Sequence, residues 1–151
     1  NPYLDSKYKL PRLPSAENEL FLIVNGDTLF EVDLYKAYQR YLERPESPLV
    51  ILKKAISNGR YGGYNLQDEQ LVSASIDAKY ISMGAVFTRG KDLIKLDNEA
   101  SKYKEIRMMD DDFIKRIVCR AYVLDNMTEF IDIGVPESYE QAQTYIPKYF
   151  Q

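Results

Sequence analysis

In Leu20-Phe21-Leu22-Ile23-Val24-Asn25-Gly26-Asp27-Thr28, five apolar residues run unbroken into a polar turn that ends on an acid. An apolar run of this length predicts a β-strand covered on both faces, as in sheets flanked by helices. Asn25-Gly26 breaks the strand, because glycine permits a sharp turn and leaves room for a ligand. Asp27 is thereby expected at the C-terminal edge of a sheet, where open α/β folds receive ligands. Taken alone, Gly26-Asp27 reads as an ordinary turn.

Outward from this stretch the pattern alternates. Asp33 can cap a helix that presents Leu34, Ala37, Tyr38, Tyr41 and Leu42 on one face. Pro45 and Pro48 mark its exit. Leu49 to Leu52 predicts a second buried strand. Asn58-Gly59 and Gly62-Gly63 are turn signals. Residues 64–66 and 71–76 read as a pair of short strands around a turn at Gln67-Asp68-Glu69, with Val72, Ala74 and Ile76 on one face. Residues 80–88 predict a further strand in which Ile81, Met83, Ala85 and Phe87 alternate. A helix is expected near 91–96, a polar surface stretch over 97–105, and a helix over 111–118 that buries Phe113, Ile114 and Ile117. Strands over 120–124 and 130–133 and a last helix from Pro136 complete the chain. Residues 1–19 are polar and carry Pro2, Pro11 and Pro14. They read as a helix end followed by a loop, ahead of a single domain over 20–151. Interleaved strands and helices define an α/β fold: a Rossmann-like mixed, mostly parallel sheet with helices on both faces.

Composition narrows the chemistry. Of 151 residues, 45% are apolar and 28% charged, which is ordinary for a globular domain. No apolar run approaches the roughly 20 residues that span a bilayer, so no membrane partner is expected. The net charge of −3 supplies no concentrated basic face, which argues against nucleic acid. A single cysteine, Cys119, lies in an apolar run and reads as a core residue; with no disulfide available, a cytoplasmic setting is expected. There is no histidine, which removes histidine bases and histidine-ligated metals. Catalysis here would need carboxylates, lysines, arginines or a hard metal ion. The chain begins at Asn1 rather than methionine, and residues are expected to precede it.

A second motif carries an acid in an unusual place. In Phe130-Ile131-Asp132-Ile133-Gly134-Val135-Pro136-Glu137 an aspartate stands between two isoleucines of an expected strand. An ionised carboxylate there must be paired or bound to metal. A salt-bridged core aspartate is the plainer alternative. Pro136 suits the first turn of the following helix.

With both motifs in place, the sequence from Phe21 onward resembles the sugar-1-phosphate nucleotidyltransferase family. Family members carry Gly-Asp-Thr or Gly-Asp-Asn after a buried strand, and later an aromatic-x-Asp-x-Gly-Thr-Pro-Glu run. Within the family, the likeness is to guanylyltransferases acting on heptose or mannose phosphates. The resemblance implies magnesium-dependent transfer of a nucleoside monophosphate from an NTP, GTP favoured, to a sugar 1-phosphate. Asp27 and Asp132 would be the catalytic, metal-holding pair, since magnesium takes one or two carboxylates plus phosphates.

Further substrate contacts are implied at Gly26, at Gly62 in Arg60-Tyr61-Gly62, at Lys79, and at Ser82 and Gly84 in Ser82-Met83-Gly84. Lys79 would hold the sugar phosphate, although Ala78 stands where the family has glutamate; otherwise it is a solvated lysine at a strand end. Ser82 stands for an asparagine and Val135 for a threonine. The family's glycine-rich triphosphate loop has no counterpart among the seven scattered glycines. The front of the fold is therefore expected to be lost, or supplied by another chain, leaving this one as a C-terminal portion that is inactive alone. A homo-oligomer is left open. Two other readings also remain: a non-catalytic nucleotidyltransferase-like interaction domain, and a metal-dependent glycosyltransferase using Asp110-Asp111-Asp112, which reads more simply as acids at a helix start.

Overall fold

The computed structural model describes residues 17–55, 63–74, 78–103, 116–125, 129–134 and 136–149. The interior is organised by β3 (Leu49–Lys54), whose first five residues are buried. Successive side chains leave a strand on opposite faces, so one apolar strand feeds two cores. Leu49 and Ile51 pack with Ala37 and Tyr41 of α1 (Leu34–Leu42) and with Met83, Ala85 and Phe87 of β6 (Tyr80–Arg89). Val50 and Leu52 pack on the other side with Val86 and Cys119, against which Leu93 and Leu96 of α2 (Gly90–Tyr103) lie. Helices thus cover both faces, as expected.

The main sheet has six strands in the order β1-β6-β3-β7-β5-β4. Here β1 is Leu20–Val24, β4 is Gly63–Gln67, β5 is Gln70–Ala74 and β7 is Arg120–Val123. β4 also meets β6 at Tyr64↔Tyr80, so the sheet curls back on itself. The sheet is mixed, but not mostly parallel: among the described strands only β3 and β7 form a parallel pair. The reason is β6, which runs antiparallel between β1 and β3 and separates two strands that share a direction.

The expectation for β1 is also corrected. It is an edge strand, paired among the described strands with β6 alone. Leu20, Leu22 and Val24 remain 39%, 38% and 52% exposed on one of its faces. The turn expected at residues 67–69 is present as a tight hairpin, with Gln67 opposite Gln70 and positive φ at Asp68 and Glu69. α2 runs on to Tyr103, taking in part of the stretch expected to be irregular surface. Most of the helix expected over 111–118, and residues 1–16, lie outside the described residues. No helix among the described residues is long and apolar enough to cross a membrane.

Arg120 ties the layers together. It is buried, and its guanidinium donates to the carbonyls of Arg40, Tyr41 and Arg44 at the end of α1. Terminal carbonyls of a helix lack intrahelical partners, and a cation there also meets the negative end of the helix dipole. Burial pushes the Arg120 guanidinium below its ordinary pKa.

Candidate active site

The backbones of Asp27 and Asp132 come together through a small ribbon rather than through β1. After the turn that closes β1, the chain forms β2 (Thr28–Phe30), which pairs antiparallel with β8 (Phe130–Asp132) in a separate two-stranded sheet. Thr28 stands opposite Asp132. The Ile133 N–H donates to the Asp27 carbonyl at 2.9 Å, continuing the pairing by one rung. The two aspartates are therefore diagonal neighbours at one end of the ribbon. Ladder alternation would send residues 27 and 132 to opposite faces. Asp27 itself lies in the turn that leads into β2.

The expectation of a strand-buried Asp132 does not hold. Asp27 is exposed and Asp132 half-buried, because the ribbon lies beside the main sheet rather than in its middle. Phe30 and Phe130 anchor it on the core beneath β6. Asp132 Oδ1 accepts the Gly134 N–H at 2.7 Å, which fixes the carboxylate just ahead of α3 (Pro136–Tyr145). Pro136 occupies the first position of that helix, as its fixed φ favours.

β6 supplies the neighbouring wall. The Asn25 N–H donates to the Gly84 carbonyl at 2.7 Å, and Thr28 Oγ1 donates to the Met83 carbonyl at 3.4 Å. Gly84 adopts φ +70, and a Cβ there would lie 2.5 Å from Asn25 Nδ2. Both the backbone and its neighbour therefore require glycine. Ser82 Oγ accepts the Gly84 N–H at 3.1 Å. Gly26, by contrast, faces open space: a Cβ there would meet nothing within 4 Å. Asn25, Gly26, Asp27, Ser82, Gly84 and Asp132 thus gather around one end of β6.

Lys79 lies just before that strand and is exposed. Gly62, with Arg60 and Tyr61, lies outside the described residues, as does Asp110-Asp111-Asp112. Among the described residues no three or more acids and cysteines converge. An ion held by Asp27 and Asp132 would accordingly draw its other ligands from water or substrate, which is magnesium's habit. Cys119 is buried and its thiol is pushed up to about 12, chiefly by burial. It stays protonated at neutral pH, as a core residue should. Sequence reasoning gave no role to two side chains that the structure brings forward: Asn25, seated on Gly84, and Asn65, described below.

The mixed sheet with helices on both faces is shared with solved structures. The structure of HddC from Yersinia pseudotuberculosis complexed with GMP-PN matches with a TM-score of 0.61 and 22% identity, covering 86% of this chain and 56% of that one. No family model matches the chain. Sequence likeness points the same way. The D-glycero-alpha-D-manno-heptose 1-phosphate guanylyltransferase of Aneurinibacillus thermoaerophilus is 28% identical over 136 residues, covering 87% of this chain and 57% of that protein. The enzyme of the same name from Campylobacter jejuni is 30% identical over 133 residues, covering 84% of this chain and 56% of that protein. In sequence and in fold the chain is similar to the sugar-1-phosphate nucleotidyltransferases, as the two motifs led one to expect. It spans a little over half the length of the relatives it matches.

Proposed function

We propose that this chain carries the sugar-phosphate side and the metal aspartates of a sugar-1-phosphate nucleotidyltransferase acting in the cytoplasm. The reaction joins a nucleoside monophosphate to a sugar 1-phosphate. A phosphate oxygen of the sugar 1-phosphate attacks the α-phosphorus of the NTP, the α–β bond breaks, and pyrophosphate leaves. GTP is favoured, because the similar enzymes are guanylyltransferases. The observation that supports the reading is that the β2–β8 ribbon brings the backbones of Asp27 and Asp132, far apart in the chain, to one of its ends.

Two carboxylates, one exposed and one half-buried, suit a hard divalent cation by donor chemistry. Magnesium held by Asp27 and Asp132 would offset negative charge at the reacting phosphates. The remaining work falls to the chain itself. Lys79 is the residue for the phosphate of the sugar, and Ser82 and the backbone at Gly84 face its hydroxyls. The nucleophile is already an anion at neutral pH and needs no base, so a chain without histidine suffices. Alignment and charge compensation supply the rate.

The test is pyrophosphate release by the intact source protein, given GTP, magnesium and mannose or heptose 1-phosphate. Asp27→Asn and Asp132→Asn should each reduce release at least about a hundredfold, the scale seen when a preorganised charge contact is removed. Both should leave the fold intact: asparagine at 132 keeps the Oδ1 that accepts from Gly134, and residue 27 is exposed. Full activity in either variant would defeat the reading.

A further inference from the structure

The backbone of Lys79 is held from two sides. Its N–H donates to the side-chain Oδ1 of Asn65 on β4 at 3.0 Å. Its carbonyl accepts the N–H of Ala55, just past β3, at 2.9 Å. Among the described residues the ladder between β4 and β6 consists of the single backbone pair Tyr64↔Tyr80. One residue beyond it, the Asn65 side chain takes the place of a backbone carbonyl and extends the pairing by one rung. The adjacent contact is tight as well: a Cβ at Gly63 would fall 1.9 Å from the Ala78 Cβ. Glycine at 63 thus lets residue 78 lie directly on β4.

We propose that Asn65 is a positioning residue for Lys79: by accepting the Lys79 N–H it fixes the backbone from which the lysine reaches the phosphate of a sugar 1-phosphate. This rests on the reading of the site given above. Asn65 touches no substrate and acts through Lys79. A charged group meets a phosphate best when little freedom is lost on binding. A backbone pinned by Asn65, Ala55 and the Gly63–Ala78 contact provides that order in advance.

The experiment is a titration of mannose 1-phosphate, with inorganic phosphate as a second probe, into the intact source protein, read by amide NMR together with hydrogen exchange at Lys79. Asn65→Ala should lose protection at the Lys79 amide and weaken mannose 1-phosphate binding about five- to tenfold. Asn65→Asp keeps the acceptor oxygen and should restore the amide protection, while its added charge disfavours the phosphate. Should Asn65→Ala fail to fold, Asn65→Gln, which displaces the acceptor by one methylene, should show the same weakening. Unchanged binding in Asn65→Ala or Asn65→Gln, alongside weakened binding in Lys79→Ala, overturns the role of Asn65 and leaves the site standing. Unchanged binding in Lys79→Ala, or none in the unaltered protein, overturns the site reading and this inference with it. Equal weakening for inorganic phosphate marks the anion as the group recognised; weakening for the sugar phosphate alone would overturn a phosphate-directed lysine.

Discussion

β1 and β3 are nearly the same strand in sequence and opposite in structure. Leu20-Phe21-Leu22-Ile23-Val24 and Leu49-Val50-Ile51-Leu52 are both unbroken apolar runs. β3 lies between β6 and β7 with a helix layer on each face, and its four apolar side chains are fully buried. β1 stands at the edge, with Leu20, Leu22 and Val24 open on one side. An apolar run specifies a strand and a wish for cover; the topology decides how much cover the strand receives.

The largest expected effect tests the buried member. Ile51→Ala should destabilise the protein by about 2–5 kcal/mol in denaturant titrations, through lost transfer energy and a cavity. Val24→Ala on β1 should cost less than about 1 kcal/mol, because little surface is withdrawn from water there. Equal costs would dissolve the contrast. A second test moves to the layer over β3. Arg120→Met should cost about 1–3 kcal/mol despite its similar bulk, since it removes the guanidinium's hydrogen bonds to the carbonyls of Arg40, Tyr41 and Arg44.

Smaller effects should follow at the margins. Asp68 holds φ 50 without being glycine. Asp68→Gly should raise stability by up to about 1 kcal/mol, as the left-handed conformation is strained for any residue with a Cβ. The N-cap of α1 offers a pH test. The Lys36 N–H holds the Asp33 carboxyl below its ordinary 3.8. A depressed folded-state pKa gives stabilisation that is present above the unfolded value and lost as pH falls through the folded one. The melting temperatures of the native protein and Asp33→Ala should therefore differ at neutral pH and converge in strong acid. A gap that persists in acid would assign the cap to hydrogen bonding by the neutral group.

What the sequence disclosed depended on whether local pattern carried the information. Period-two alternation at Ile81, Met83, Ala85 and Phe87, and the helical spacing of Ala37, Tyr38 and Tyr41, depend only on near neighbours, and both elements are where they were expected. Strand direction is not local. Nothing in residues 80–89 announces that the strand inserts antiparallel between β1 and β3, so the parallel content was overestimated. The burial of Asp132 was misjudged for a related reason: flanking isoleucines signal a strand, not whether it joins the main sheet or a two-stranded ribbon. Asn65 left no mark at all, since an asparagine that replaces a backbone acceptor has no sequence periodicity.

The register of β1 sets a timetable for the nascent chain. Leu20 lies opposite Arg89, with β2, α1, β3, β4 and β5 intervening along the sequence. At about 5–20 residues per second, synthesis presents the ribosome-bound chain with an adhesive segment on the order of several seconds before its partner exists. Pairing so distant also pays a large loop-closure entropy before any contact rewards it, which slows the search. In the cell, β1 is thus a segment that waits, open to chaperones, until β6 emerges.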